Sequence, residues 1–288
     1  MGELAGEFEA LRPHLTRVAY GILGSLVEAE DVVQDAWLRL QRADAAQIED
    51  LRAWLTTVVG RLALDALGSA RRRRESYVGE WLPEPIVEAP GEQPTLDEAV
   101  STALLLVLER LSPAERTAFL LHDVFELPFD EVAEVVGRSP AAVRQLASRA
   151  RAHVEAGRPR FPAAPEDRDR IVIAFALAWQ EGDHEQLLAL LDPDAVLRSD
   201  GGGRVSAARE PQVGAEKVAR LLVGLARVSS RKDSEAYGRL ARVNGATGIV
   251  IVVDGTVSVV SLTIDAGRIV SVDIVRNPDK LRHVEVSA

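Results

Sequence analysis

The sequence predicts a multidomain protein, with an all-α first half and a C-terminal α+β domain shaped as a cone. Three observations carry that reading. Apolar residues recur at helical spacing through residues 5–74 and again through 97–156. Proline-rich stretches interrupt the pattern at 75–96 and 158–165. Runs rich in Val and Ile, joined by Gly-containing turns, begin at Ala236.

Bulk composition narrows the function classes. The chain has 288 residues, enough for two or three domains, and 47% apolar content supplies real cores. It has no cysteine, which excludes disulfides and thiol chemistry. His14, His122, His153, His184 and His283 show no ligand spacing, so neither a metal nor another cofactor is expected. No signal peptide and no membrane-spanning apolar stretch are apparent, and a cytoplasmic protein without membrane contact is expected.

In the first domain, 1–74, Val32, Val33, Ala36, Trp37 and Leu40 form the apolar face of a helix over 28–40. Asp31, Gln34, Asp35 and Leu38 lie toward the other face. A long helix over 51–70 carries Trp54, Leu55, Val58, Leu62 and Leu67 at helical spacing. Trp37 and Trp54 are read as core residues. An unbroken basic run, Arg71, Arg72, Arg73 and Arg74, ends the domain. The linker 75–96 holds Pro83, Pro85, Pro90, Gly91 and Pro94. Trp81 within it is a large aromatic that needs burial, so the segment is expected to dock on a neighbouring domain.

The next domain, 97–157, closes on its most informative segment. Phe129, Val132, Ala133 and Val136 share one helical face, and Gly137 ends that helix in a left-handed turn. Ser139 then caps a second helix whose first position is Pro140, where no amide hydrogen is needed. That helix buries Val143, Leu146, Ala147, Ala150 and Val154 and presents Arg144, Gln145, Ser148, Arg149 and Arg151. Two short helices, a glycine turn and a cationic second helix describe a helix-turn-helix, which reads the DNA major groove. Between Arg138 and Arg160 six arginines stand against Glu155 alone. Yet the net charge is −10. An acidic protein with two basic patches binds DNA weakly by itself and needs a partner to deliver it.

After the linker 158–165 comes the domain 166–288. Helices are expected over 167–180, over 183–191 with Asp183 as cap, and over 213–228. Strands are expected over 236–243, 247–254, 256–264 and 268–275, with hairpin turns at Asp254-Gly255 and Ala266-Gly267.

Three stretches resemble the extracytoplasmic-function sigma factors of bacterial RNA polymerase. The stretch Ala29 to Leu40 is similar to their polymerase-binding helix. Trp54 to Asp65 is similar to the helix that reads the minus-ten promoter element. Leu111 to Leu120, followed by the helix-turn-helix, is similar to the domain that reads the minus-35 element. The C-terminal domain resembles the SnoaL-like, ketosteroid-isomerase-like cone fused to the SigJ-type subgroup. That subgroup's three markers appear here as Trp81-Leu82-Pro83-Glu84-Pro85, Asp200-Gly201-Gly202-Gly203-Arg204 and Asn277-Pro278-Asp279-Lys280-Leu281, with Arg204 where Lys is usual.

The resemblance implies a chain, monomeric when free, that joins the clamp and flap of core RNA polymerase and directs it to promoter DNA. Asp31, Gln34, Asp35 and Leu38 would bind polymerase. Arg61, Arg71, Arg72, Arg73, Arg74, Ser139, Arg144, Gln145, Ser148, Arg149 and Arg151 would bind DNA. The three markers would regulate between domains. No aromatic lies within 41–50, where such factors capture a flipped base.

Two other readings compete. The cone fold hosts enzymes, or could bind a small ligand, and Asp183, His184 and Asp200 are its attractive polar residues. Helix capping, a surface position and a tight loop explain them better, respectively. A two-component-type regulator would need the strand-ending aspartates of a receiver, which are not seen.

Overall fold

The computed structural model describes residues 2–44, 47–88, 100–157, 164–229 and 234–284. The chain forms two compact units. Met1–Ser76 and Leu104–Arg158 make the first; Tyr77–Ala103 and Pro159–Ala288 make the second.

The first unit is helical. Helices α1 (Gly2–Leu23), α2 (Leu26–Leu40) and α3 (Leu51–Arg74) pack on one another. Ser25 caps α2 by accepting the Glu28 N–H, and Ala29, Val32, Val33, Ala36 and Leu40 are buried. Trp37 and Trp54 are half-buried rather than core residues; Trp37 lies tilted against Phe8, with ring centroids 4.9 Å apart. Helix α4 (Thr102–Leu108) leads to α5 (Pro113–Phe119), which opens on a capping box between Ser112 and Glu115. A π-helical turn, Leu120–Val124, follows. Then come α6 (Phe129–Val136) and α7 (Pro140–Gly157). Gly137 joins them at φ 68°, where a side chain would be strained. Ser139 Oγ accepts the Ala142 N–H at 3.3 Å.

The second unit packs α8 (Pro165–Glu181), α9 (His184–Leu190) and α10 (Ala215–Ser229) on one face of a six-stranded sheet. The strands are β1 (Leu191–Asp200), β2 (Gln212–Val213), β3 (Ala236–Val243), β4 (Ala246–Val253), β5 (Thr256–Asp265) and β6 (Arg268–Val275), in the order β2-β1-β6-β5-β4-β3. Phe175, Leu187, Leu197, Val218, Leu222, Val260, Val272 and Ile274 form the core beneath the helices. Burying each such side chain contributes about 1.5–3 kcal/mol.

The α+β cone is therefore present, with two departures from expectation. The expected helix over 183–191 ends at Leu190, because Leu191 opens β1. The sheet also gains two strands that were not expected, β1 and β2, and β1 pairs parallel to β6.

Candidate functional site

The parallel pairing of β1 and β6 builds the principal site of the second unit. Asp200, the last residue of β1, stands opposite Val275, the last of β6. The segments that follow the two strands, Gly201–Arg204 and Asn277–Leu281, therefore leave the sheet side by side. Asn277 caps a short 3-10 turn over Pro278–Lys280, which aims Lys280 back toward Asp200.

Asp200 is fully buried and all of its acceptor capacity is engaged. Its Oδ1 accepts from Tyr77 Oη at 2.5 Å and from the Gly202 N–H at 3.0 Å. Its Oδ2 accepts from the Leu82 N–H at 2.9 Å and from Lys280 Nζ at 2.7 Å. Lys280 also donates to the Leu82 carbonyl and stands 4.0 Å from the Trp81 ring centroid. Asn277 Nδ2 donates to Tyr77 Oη at 2.8 Å. Burial, and then the carboxylate of Asp200, push the Tyr77 hydroxyl well above its ordinary pKa, so it stays a donor. Gly202 is required here, because its φ is +60° and a Cβ would lie 2.4 Å from the Asn277 side chain.

The rest of the linker runs along the same unit. Leu82, Pro83, Glu84 and Pro85 are buried. His283 Nε2 donates to the Pro85 carbonyl at 2.9 Å, and its Nδ1 lies 3.6 Å from Glu84. Ile86 and Asn244 exchange two hydrogen bonds, at 2.9 and 3.1 Å. Val87 bridges antiparallel to Val243 at the end of β3, and Arg242 pairs with Glu88 at 3.2 Å. The three marker segments, whose contacts join residues 80 to 198 positions apart in sequence, thus meet in one linker clamp. Arg204 stays exposed and touches Asp279 at 3.5 Å. Tyr77, Asn244, Arg242 and His283 were missed by sequence reasoning, since nothing local to them signals so distant a partner.

The first unit displays the residues expected to meet polymerase and DNA. Asp31, Gln34, Asp35 and Leu38 are exposed on α2. Arg144, Gln145, Ser148 and Arg149 are exposed on α7, as is Ser139 before it, and the Arg144 guanidinium lies 5.1 Å from the Phe129 ring centroid. Arg151 is half-buried and paired with Asp123.

The cations of α3 are placed differently. Arg61 donates to the Glu134 carbonyl at 3.1 Å. Arg71 donates to the carbonyls of Glu109 and Leu111. Arg74 bonds Glu109 Oε2 at 2.7 Å and the Leu23 carbonyl at 2.6 Å. Glu109 Oε1 takes Arg116, which is fully buried and also donates to the Gly21 carbonyl. Both arginines thereby satisfy carbonyls in the last turn of α1, where the helix is negative. Burial pushes the Glu109 carboxyl up, but Arg116 and Arg74 outweigh it and hold it below the usual range. Arg72 is exposed; the side chain of Arg73 lies outside the described part.

The competing enzymatic residues are also located. Asp183 caps α9 by accepting the Gln186 N–H at 3.0 Å. His184 is half-buried, 3.5 Å from Glu216, rather than a surface residue. A cavity of about 570 Å³ opens between α8, α10, β3 and β4, lined among others by Trp179, Gln180, Leu240, Ile249 and Ile251. No carboxylate or imidazole lies among its lining residues. No helix among the described residues is long and apolar enough to cross a membrane.

Comparison with known proteins agrees with this architecture. Residues 8–73 match the sigma-70 region 2 family, and residues 101–154 match sigma-70 region 4. The chain belongs to the extracytoplasmic-function (ECF) sigma factors of RNA polymerase. It is 42% identical to the ECF RNA polymerase sigma factor SigJ of Mycobacterium tuberculosis, covering 95% of this chain and 92% of that one. It is 33% identical to a probable ECF sigma factor, SigI, of the same species, over 96% and 94% of the two chains. The crystal structure of SigJ superposes at a TM-score of 0.79 and 38% identity, covering 96% of this chain and 98% of that chain. The protein is therefore a non-enzymatic transcription initiation factor that works with core RNA polymerase on promoter DNA.

Proposed function

We propose that the C-terminal domain regulates this sigma factor in cis by gripping the linker between its two sigma regions. The single observation that carries the reading is the linker clamp around Asp200, in which all three markers converge on one buried carboxylate. The linker joins α3 to α4, so whatever fixes residues 77–88 limits how far the two regions can separate. Held in this way, the chain tunes how readily the regions take up their positions on polymerase.

Within that reading, α2 meets the polymerase clamp through Asp31, Gln34, Asp35 and Leu38, and the region around α7 meets the flap. Arg144, Gln145 and Arg149 read base edges, while Ser139, Ser148 and Arg151 support the contact to the backbone. Arg61, Arg71, Arg72, Arg73 and Arg74 meet promoter phosphates once the contacts of α3 to Glu134 and Glu109 are released. The free protein acts as a monomer. Run-off transcription with purified core polymerase tests the regulation. A chain ending at Arg276, which lacks Asn277, Lys280 and His283, is expected to differ in output from the full chain, and one ending at Pro165 to differ again. Equal output from all three would overturn it.

A further inference from the structure

The turn that precedes the helix-turn-helix serves both halves of its second helix. Over Leu120–Val124 the helix widens to a π-helical turn. The Phe125 N–H donates to the Leu120 carbonyl at 2.9 Å, and the Leu127 N–H to the Leu121 carbonyl at 2.9 Å. Turns widened in this way are rare and recur at functional sites. This one presents two neighbouring side chains. Asp123 pairs with Arg151, in the second half of α7. His122 stacks on Phe129, the first residue of α6, with ring centroids 3.7 Å apart and 28° between the planes. Phe129 in turn carries the Arg144 guanidinium, 5.1 Å from its ring centroid, in the first half of α7.

His122 is itself fixed. Its Nδ1 lies 2.9 Å from the Leu127 carbonyl, and a carbonyl can only accept, so Nδ1 carries the proton. Arg144 is exposed, and among the described residues its guanidinium has no hydrogen-bond or ion-pair partner. The cation is therefore placed by a ring while its N–H donors stay available.

We propose that Phe129, braced by His122, positions Arg144 to read a guanine of the promoter. A guanine presents two acceptors in the major groove, O6 and N7, and a guanidinium meets both only in one orientation of its plane. An unsupported Arg side chain gives up rotamer freedom when it docks; one already seated on a ring gives up less. Phe129 and His122 are positioning residues, and neither needs to touch DNA. The inference rests on the reading above that Arg144 meets a base edge.

Holoenzyme formed from the full chain and core polymerase selects duplexes from a random library, and binding is then measured with each base pair of the selected site replaced in turn. Arg144→Ala is expected to relax discrimination at one guanine. Replacing that guanine with 7-deazaguanine, which lacks the N7 acceptor, is expected to weaken the parent severalfold and the Arg144→Ala chain not at all. Phe129→Leu, melting like the parent, is expected to relax the same base pair by roughly two- to tenfold, to spare the others, and to add nothing on top of Arg144→Ala. Phe129→Tyr keeps the ring and is expected to retain the discrimination. His122→Ala is expected to act in the same direction as Phe129→Leu, and it carries the test if Phe129→Leu does not fold.

A loss spread over all positions, full additivity with Arg144→Ala, or the same loss in Phe129→Tyr assigns Phe129 to the fold alone and overturns the positioning. Undiminished binding of the parent to the 7-deazaguanine duplex overturns the guanine. If Arg144→Ala relaxes no position, base reading by Arg144 falls, and its positioning with it. If Arg144→Ala relaxes one position while Phe129→Leu and His122→Ala relax none, base reading stands and only the positioning falls.

Discussion

Asp200 shows how a single side chain organises a region of this protein. It is buried, charged and met by Tyr77, Leu82, Gly202 and Lys280. A buried carboxylate of this kind is tolerable only while its partners remain. Lys280→Met is therefore expected to cost about 3–5 kcal/mol in urea unfolding, whereas the double substitution Asp200→Asn with Lys280→Met costs less, because no charge is left unpaired. Gly202→Ala forces a Cβ onto Asn277 at positive φ and is expected to cost about 1–3 kcal/mol by the same measurement.

His14 gives a pH signature in the other unit. Burial, with Arg52 and Arg17 nearby, lowers its pKa to about 4 from 6.5. Between those values the unfolded chain binds a proton that the folded chain refuses, so acidification favours unfolding in that window. His14→Gln is expected to flatten the fall in melting temperature between pH 6.5 and pH 4, and an unchanged slope would remove His14 as its cause. The markers were legible as segments through family resemblance. Their shared carboxylate was not, because a glycine-rich loop reads equally well as a simple tight turn.

At the scale of elements, α2 and α7 carry the faces proposed to meet other macromolecules. Asp31→Lys with Asp35→Lys reverses an exposed acidic face without touching the buried one, and co-purification with core polymerase is expected to be lost while the melting temperature holds. Arg144→Ala or Arg149→Ala is expected to cost about 1–3 kcal/mol in promoter binding and to relax specificity at one position. A uniform loss across sequences would assign that residue to phosphate contact.

The helix-turn-helix was legible because its signals are local: Gly137, Ser139, Pro140 and the spacing of Val143, Leu146 and Ala150. β1 was not. Its residues Asp192, Pro193 and Asp194 read as a loop, and its strand character comes from β6, about 75 residues away. The roles of Arg71 and Arg74 were hidden in the same way. A basic run at a helix end reads as phosphate-binding, and only the fold brings Glu109 and the carbonyls of Leu23 and Leu111 to it.

For the whole molecule, the second unit includes the strap of residues 77–88, which belongs to the stretch of chain between the two sigma regions. Under the proposed regulation, the grip on this strap governs transcription. Its most direct measurement is run-off transcription by core polymerase with the full chain carrying Asp200→Asn and Lys280→Met, with hydrogen exchange of Leu82 and Ile86 reporting the state of the strap. Faster exchange at both amides together with a severalfold change in transcript yield is expected. Transcript yield equal to that of the unsubstituted chain, with both amides exchanging freely, would contradict it.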